Sequence, residues 1–437
     1  VSIWTDNGFS QSPYDTDPVP PTAEGEKLLV GRELEVKILT NRITSSALHP
    51  TIEGDNGVGK TSLVSVVAYR LQQSFAAGGT GQALFPLSKT FQISPNASVD
   101  GLLRDVLYEV AHAFIKHHET LKLRGFSVPD VDSINRWLNS PAFNSGEIGA
   151  QVLGIGGNVA RGSGPNTSSG FTESGFSATV SRWLRECFPS RQAGGFVCVI
   201  DNLELLETSQ VARNLLEAMR DTVLSVPGLR WVLCGARGIV RTGASSPRLE
   251  GRLAEPMELK PVRDSDIELL VRRRIELYRV IDETVAPVGP EDFRFLYDLV
   301  NRNLRNSLKF CEDFSFWLYE QDGIGRNPDE YHRLLEVWLT EQADRALSAT
   351  KLGERAWSVF DQLAKLGGGC SPSDYYRFDF NSSMAMRPHV KSLEDVNLVR
   401  SSIDETDKRR KTIMITPRGW LVRYAQTGYK LPDHDGG

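Results

Sequence analysis

The chain has 437 residues, which at roughly 150 residues per domain allows about three domains and at least one sizeable core. A composition of 40% hydrophobic, 24% charged and 9% aromatic residues excludes wholesale disorder and a fibrous or disulfide-stapled class. Fifty Lys plus Arg against fifty-five Asp plus Glu leave a net charge of −5, so the surface as a whole is no polyanion binder and any nucleic-acid contact must be local.

Residues 1 to about 25 carry Pro18, Pro20 and Pro21 among Asp, Ser and Thr, which reads as an extended arm with the first ordered element starting at Leu28. Helical spacing follows at Leu34, Ile38, Leu39 and Ile43. ALHPTIEG then predicts a short strand ending in a glycine-rich turn, and TSLVSVVAYRLQQSF a helix. Later strands are expected at 89–94, 196–200 and 230–235, separated by helical stretches. Near-continuous apolar strands alternating with helices imply an α/β fold, a parallel sheet covered on both faces. A Gly/Ser-rich insertion at about 140–176 interrupts it.

From about 263 the pattern is purely helical, with Pro287, Gly289, Pro290, Gly323 and Pro328 as punctuation. After 346 it becomes a helix, a turn region, a helical stretch at 381–394, strand-like runs at 398–403 and 411–416, and a final helix. The expected organisation is an arm (1–25), an α/β base (26–262), a helical lid (263–345), a C-terminal domain (346–430) and a tail (431–437).

The five cysteines are scattered without a CxxC pair, which favours a reducing cytoplasm and no zinc site. His112, His117 and His118 share a helical stretch, but no two are three or four residues apart, so the cluster reads as surface. Neither a membrane span nor a signal peptide is expected. Arg272, Arg273 and Arg274 in the lid read as structural.

The strongest motif is Gly54-Asp55-Asn56-Gly57-Val58-Gly59-Lys60-Thr61, which satisfies GxxxxGK[ST] between a predicted strand and helix. Its glycines let backbone N–H groups turn toward phosphate oxygens at a helix N-terminus, with Ser62 next along the helix. Lys60 reaches the β and γ phosphates, and the Thr61 hydroxyl can ligate Mg²⁺. The expected cofactors are therefore ATP and Mg²⁺. Asp201, at the end of the apolar run FVCVI, is the matching magnesium carboxylate, with N-capping of the next helix as its structural alternative. Many hydrolysing relatives place Glu directly after this Asp; here it is Asn202, with Glu204 two further on. Nucleotide binding with slow hydrolysis is the expectation.

These residues resemble AAA+ ATPases of the initiator type, related to origin-recognition proteins, and the neighbouring STAND signalling ATPases, over roughly residues 28–430. Leu29-Val30-Gly31-Arg32-Glu33 is similar to the "VGRE" box that packs near the adenine. The resemblance implies a sensor-1 role for Arg237 after RWVLCG, more STAND-like than initiator-like. It implies a γ-phosphate contact for Arg305 in Asn303-Leu304-Arg305, and arginine-finger positions for Arg248 or Arg252. Each arginine has a plain alternative as a solvated charge or loop ion pair. Placing positive charge on the migrating phosphate is the physical reason to expect them.

The 346–430 region resembles a winged helix. In a DNA-binding version Arg387, His389 and Lys391 would enter a major groove, and the hairpin tip with Lys408, Arg409, Arg410 and Lys411 would touch phosphates. Pro388 argues against a continuous recognition helix. Residues 341–430 carry fifteen Lys plus Arg against eleven Asp plus Glu, so positive charge gathers there; a purely structural wing is the alternative. Two functions follow. One is a nucleotide-switched AAA+ protein that forms homo-oligomers and contacts DNA. The other is a STAND-like ATPase, as in anti-phage defence, whose winged helix is a lock and which activates a separate effector protein.

Overall fold

The computed structural model describes residues 2–94, 97–132, 173–203, 209–236, 238–321, 327–404 and 410–428. In chain order, α1 (Ile3–Asp6) and α2 (Ala23–Leu28) precede α3 (Glu33–Ser45), β1 (Thr51–Glu53), α4 (Lys60–Ala76), β2 (Ala83–Gln92), α5 (Val99–Leu123) and α6 (Glu173–Cys187). The base continues with β3 (Gly194–Asp201), α7 (Ser209–Met219), β4 (Leu229–Gly235), α8 (Ile239–Ala244) and β5 (Met257–Glu258). These five strands form one parallel sheet in the order β2-β3-β4-β1-β5.

Alternate residues of the buried strands serve opposite faces. Val197 and Val232 join Ile52, Leu63 and Val67 beneath α3 and α4. Phe196 and Trp231 join Phe85, Phe114 and Leu216 beneath α5, α6 and α7. Both faces are thus covered, as the apolar runs require, and the fold is the expected α/β class. The insertion at 140–176 lies almost wholly outside the described residues, as does the tail.

The lid comprises α9 (Asp264–Tyr278), α10 (Pro290–Leu299), α11 (Leu304–Glu320) and α12 (Pro328–Ser348). The C-terminal part comprises α13 (Glu354–Lys365), β6 (Gly369–Cys370), a 3₁₀ turn (Pro372–Phe378), α14 (Ser383–Asp395), β7 (Val399–Asp404), β8 (Arg410–Ile415) and α15 (Pro417–Thr427), its three strands antiparallel in the order β6-β8-β7. One hydrophobic core runs through both parts. Phe295 of α10 meets Tyr424 of α15 edge-on at 6.1 Å, and Arg418 donates to the Ala346 carbonyl at 3.3 Å. The lid and the C-terminal part are thus packed on one shared core.

Two expectations are corrected here. The N-terminal segment is no free arm beginning its order at Leu28: Trp4, Phe9 and Tyr14 are buried in the lid core. Its prolines and small polar residues suggest an extended arm, but three aromatic anchors decide its position. The histidine stretch is not uniformly surface either. His117 is buried, its ring 4.5 Å from that of Phe85.

Desolvation pushes the imidazole of His117 down to about 4. It does the same to buried His49, whose Nε2–H donates to the Leu224 carbonyl and whose Nδ1 accepts the Trp231 N–H. Both rings are neutral in the fold but take up protons once unfolded, so the unfolded chain binds more protons between about pH 6.5 and 4. Stability is complete above pH 6.5 and falls as the pH drops through that window, each ring contributing up to about 3 kcal/mol. The urea midpoint is expected to fall steeply between pH 7 and 5, and His117→Leu to flatten the slope. A slope identical in His117→Leu and wild type contradicts this assignment.

Candidate nucleotide site

The loop between β1 and α4 is shaped by Gly57 and Gly59, at φ +83° and +96°, where L side chains are strained. A Cβ on Gly57 would lie 2.7 Å from the Arg305 Cβ and 2.9 Å from Asn303 Oδ1, so glycine is also what lets the lid approach. The predicted helix starts at Lys60. Its buried Nζ donates to the Gly54 carbonyl at 2.9 Å and that of Asp55 at 3.2 Å, which holds the ammonium over the loop's concave side.

Parallel strands end at one edge of the sheet, and this brings Asp201 from the end of β3 to Thr61, whose hydroxyl donates to Asp201 Oδ2. The other carboxylate oxygen accepts the Asn202 N–H at 2.8 Å. Asn202 sits at φ +56°, a left-handed conformation asparagine tolerates better than most residues. It lines the cleft with Asp201. A cationic amine, a hydroxyl and a carboxylate thus meet beside a backbone cradle. That donor set fits a magnesium-bound polyphosphate.

The remaining walls come from three directions. Val30 and Arg32 lie on the base side. Arg32 is buried, pairs with Glu35 at 3.2 Å and donates to the Val58 carbonyl at 3.1 Å, so it braces the loop. Burial lowers its pKa, against the opposing pull of Glu35. Gly31, at φ +69°, leaves room for Asp266, whose Oδ2 would be 2.5 Å from an added Cβ. From the lid, Leu304, Arg305 and Leu308 face the cleft, and Asn303 Nδ2 donates to the Asn56 carbonyl at 2.9 Å. Arg305 makes no ion pair among the described residues, which leaves its charge available to the cleft.

Sequence reasoning missed the third wall. Thr16, Asp17, Pro18 and Val19 cross the cleft, and Val19 N–H donates to Ser62 Oγ at 3.1 Å. Upstream, the Tyr14 hydroxyl donates to the Val288 carbonyl at 2.7 Å and accepts the Val288 N–H at 2.8 Å. Arg274, also cleft-lining, donates to the carbonyls of Pro13 and Asp15 at 3.2 and 2.8 Å. Arg274 is thus the buried member of the arginine triplet, and a strap ties lid to base. Glu53 was also missed: buried at the end of β1, it pairs with Arg241 at 2.5 Å and accepts the Gly238 N–H, anchoring the segment after β4.

Several predicted residues do not join this site. Arg248 is exposed and reaches Glu217 at 3.4 Å; the Ser246 hydroxyl and Arg213 hold that carboxyl down to about 2. Arg252 lies at the opposite edge of the sheet, where its carbonyl accepts the His49 N–H at 2.7 Å. Neither meets this chain's own cleft. Glu204, Arg237, Lys408 and Arg409 lie outside the described residues, while Arg410 and Lys411 open β8.

In the C-terminal part, α14 runs continuously through Pro388, correcting the expected break. The carbonyl that this proline leaves unbonded belongs to Met384, on the exposed face, where water can serve it. Arg387 and Lys391 share that face. His389 does not: its half-buried ring lies 5.4 Å from Phe380, which is itself covered by the Arg355 guanidinium at 4.4 Å.

No family model and no curated protein matches the chain. Solved structures do. The ORC2 protein of Aeropyrum pernix, in its ADPNP–ADP complexes, is 12% identical with a TM-score of 0.45, over 96% of this chain and 98% of that one. The Aeropyrum pernix ORC1 protein in complex with DNA is 14% identical with a TM-score of 0.43, over 96% of each chain. Pyrobaculum aerophilum Cdc6p is 11% identical with a TM-score of 0.40, over 96% and 98%. Among the described residues no helix is long and apolar enough to cross a membrane.

Proposed function

We propose that the chain is an ATP-binding, nucleotide-switched AAA+ protein that assembles with copies of itself and contacts DNA through its C-terminal domain, controlling recruitment of a partner. The convergence of Lys60, Thr61 and Asp201 under a lid whose Asn303 and Arg305 touch the loop carries this reading. Magnesium bound there would neutralise phosphate charge. Lys60 would pair with the β and γ phosphates, Thr61 and Asp201 would hold the metal, and Arg305 would sense the third phosphate. A triphosphate then favours lid closure more than a diphosphate does, which is the differential contact a switch requires.

The continuous core from lid to C-terminal domain supports transmission of closure to the α14 face, where Arg387 and Lys391 would meet nucleic acid. Lys408, Arg409, Arg410 and Lys411 would add phosphate contacts from the hairpin. Arg248 and Arg252, remote from their own cleft, would serve a neighbouring copy. Asn202 in place of a catalytic acid supports slow hydrolysis. It also favours a second reading, a STAND-like ATPase whose C-terminal domain locks the diphosphate state until an activator releases it to assemble with a separate effector.

Sedimentation with ADP and with a non-hydrolysable ATP analogue, each with and without duplex DNA, tests the choice. Assembly in ATP analogue plus DNA, lost in Lys60→Ala, is expected. A monomer that ignores DNA in every nucleotide state contradicts the first reading and supports the lock.

A further inference from the structure

Among the described residues the backbone passes between lid and base twice, and both crossings line the nucleotide cleft. One is the linker 259–263 between β5 and α9, through Val262; the other is the strap, at residues 16–18. The two ends of the strap are held unequally. Upstream it is part of the lid. Trp4, Phe9 and Tyr14 lie in the lid core, and Phe9 forms an antiparallel bridge with Arg279. The Ser10 N–H donates to the Tyr278 carbonyl at 2.8 Å and the Val280 N–H to that of Gly8 at 2.9 Å, while Arg274 grips the Pro13 and Asp15 carbonyls. Downstream, Val19 is seated on the base by its one N–H to Ser62 Oγ and by packing with Leu28 and Val66. Asp17 and Pro18, between the two anchorages, are exposed, so no core covers the crossing.

The backbone from Asp15 to Val19 can reach at most about 14 Å. Part of that is taken up by the turn in which the Asp17 N–H donates to Asp15 Oδ1 at 2.9 Å, and Pro18 fixes a further dihedral. The lid therefore cannot open far while both ends stay seated. The base end is the one that yields, because one hydrogen bond and one valine hold it against three buried aromatic rings on the lid. We infer that residues 16–19 are an exchange gate: lid opening lifts Val19 off Ser62, and nucleotide enters or leaves the cleft while the strap is raised. The inference rests on the nucleotide-binding reading and adds to it a control of rate. A gate slows entry and exit alike, whereas a wall that only touches bound nucleotide slows exit alone.

Stopped-flow binding and release of a fluorescent ADP, in Mg²⁺, tests this on wild type and on a full-length variant with Gly-Ser-Gly-Ser inserted between Asp17 and Pro18. The insertion leaves both anchorages in place and lengthens a short exposed loop, which is thermodynamically cheap, so Tm is expected to stay within about 2 °C and Kd within about threefold of wild type. Association and dissociation are expected to accelerate together, by about tenfold or more. Val19→Ala, which keeps the N–H donor and loses packing on the base, is expected to move both rates in the same direction. Faster dissociation alone, with affinity lost by the same factor, makes residues 16–19 a contact surface and overturns the gate. So do unchanged rates in the insertion variant. A wild-type protein that binds no ADP instead overturns the nucleotide reading, and the gate with it.

Discussion

Lys60→Ala is expected to weaken ATP binding by at least about 100-fold, close to 3 kcal/mol, while leaving the chain folded. Lys60 is buried at the mouth of α4 with its ammonium over the Gly54 and Asp55 carbonyls. Those two hydrogen bonds, from a charged donor to backbone carbonyls, are worth about 1.5–3 kcal/mol each in the free protein. Phosphates would be held by the same ammonium through charge-assisted bonds in a partly desolvated cleft, which are stronger and have no substitute once the amine is gone. Isothermal titration with Mg-ATP measures the affinity and thermal unfolding checks the fold. Undiminished binding by a folded Lys60→Ala protein would remove the ammonium from the site.

The second large effect is on stability. Tyr14→Ala is expected to cost about 3–5 kcal/mol, as for other large-to-small changes at buried aromatics. Tyr14 is fully buried, stacks edge-on with Trp4 at 5.9 Å, and satisfies both backbone groups of Val288 with one hydroxyl. Tyr14→Phe keeps the ring and strands those groups, for about 1–3 kcal/mol. Because Thr16–Val19 line the cleft next to this anchor, both variants are also expected to weaken nucleotide binding. Urea unfolding and the same titration read the two consequences separately. Wild-type stability in Tyr14→Ala would mean that the strap is not held by this residue.

How much of this could be read in advance depended on how local each signal is. The phosphate loop is contiguous, so its geometry followed from eight adjacent residues. The lid helices Asp264–Tyr278 and Leu304–Glu320 fall within the purely helical pattern expected from about 263, the second started by an Asn303 cap. β2 was displaced: it spans Ala83–Gln92, where 89–94 was expected, because Pro86 argues against a strand. The proline is tolerated since β2 is the sheet's edge and its register shifts between Pro86 and Thr90. β5 and β6, two residues each, are too short to show any period. The strap and Glu53 were illegible for a different reason. Their meaning lies in partners far away in sequence, which composition and periodicity do not reveal.

The measurement that tests the account most directly is equilibrium binding of ATP and ADP, in Mg²⁺, to wild type and to Arg305→Ala. Arg305 stands against Gly57 with no ion pair among the described residues. The account predicts that wild type prefers the triphosphate and that Arg305→Ala retains ADP binding but loses most of that preference. Equal affinity of wild type for both nucleotides, or a preference untouched by the substitution, would contradict a lid that reads the third phosphate.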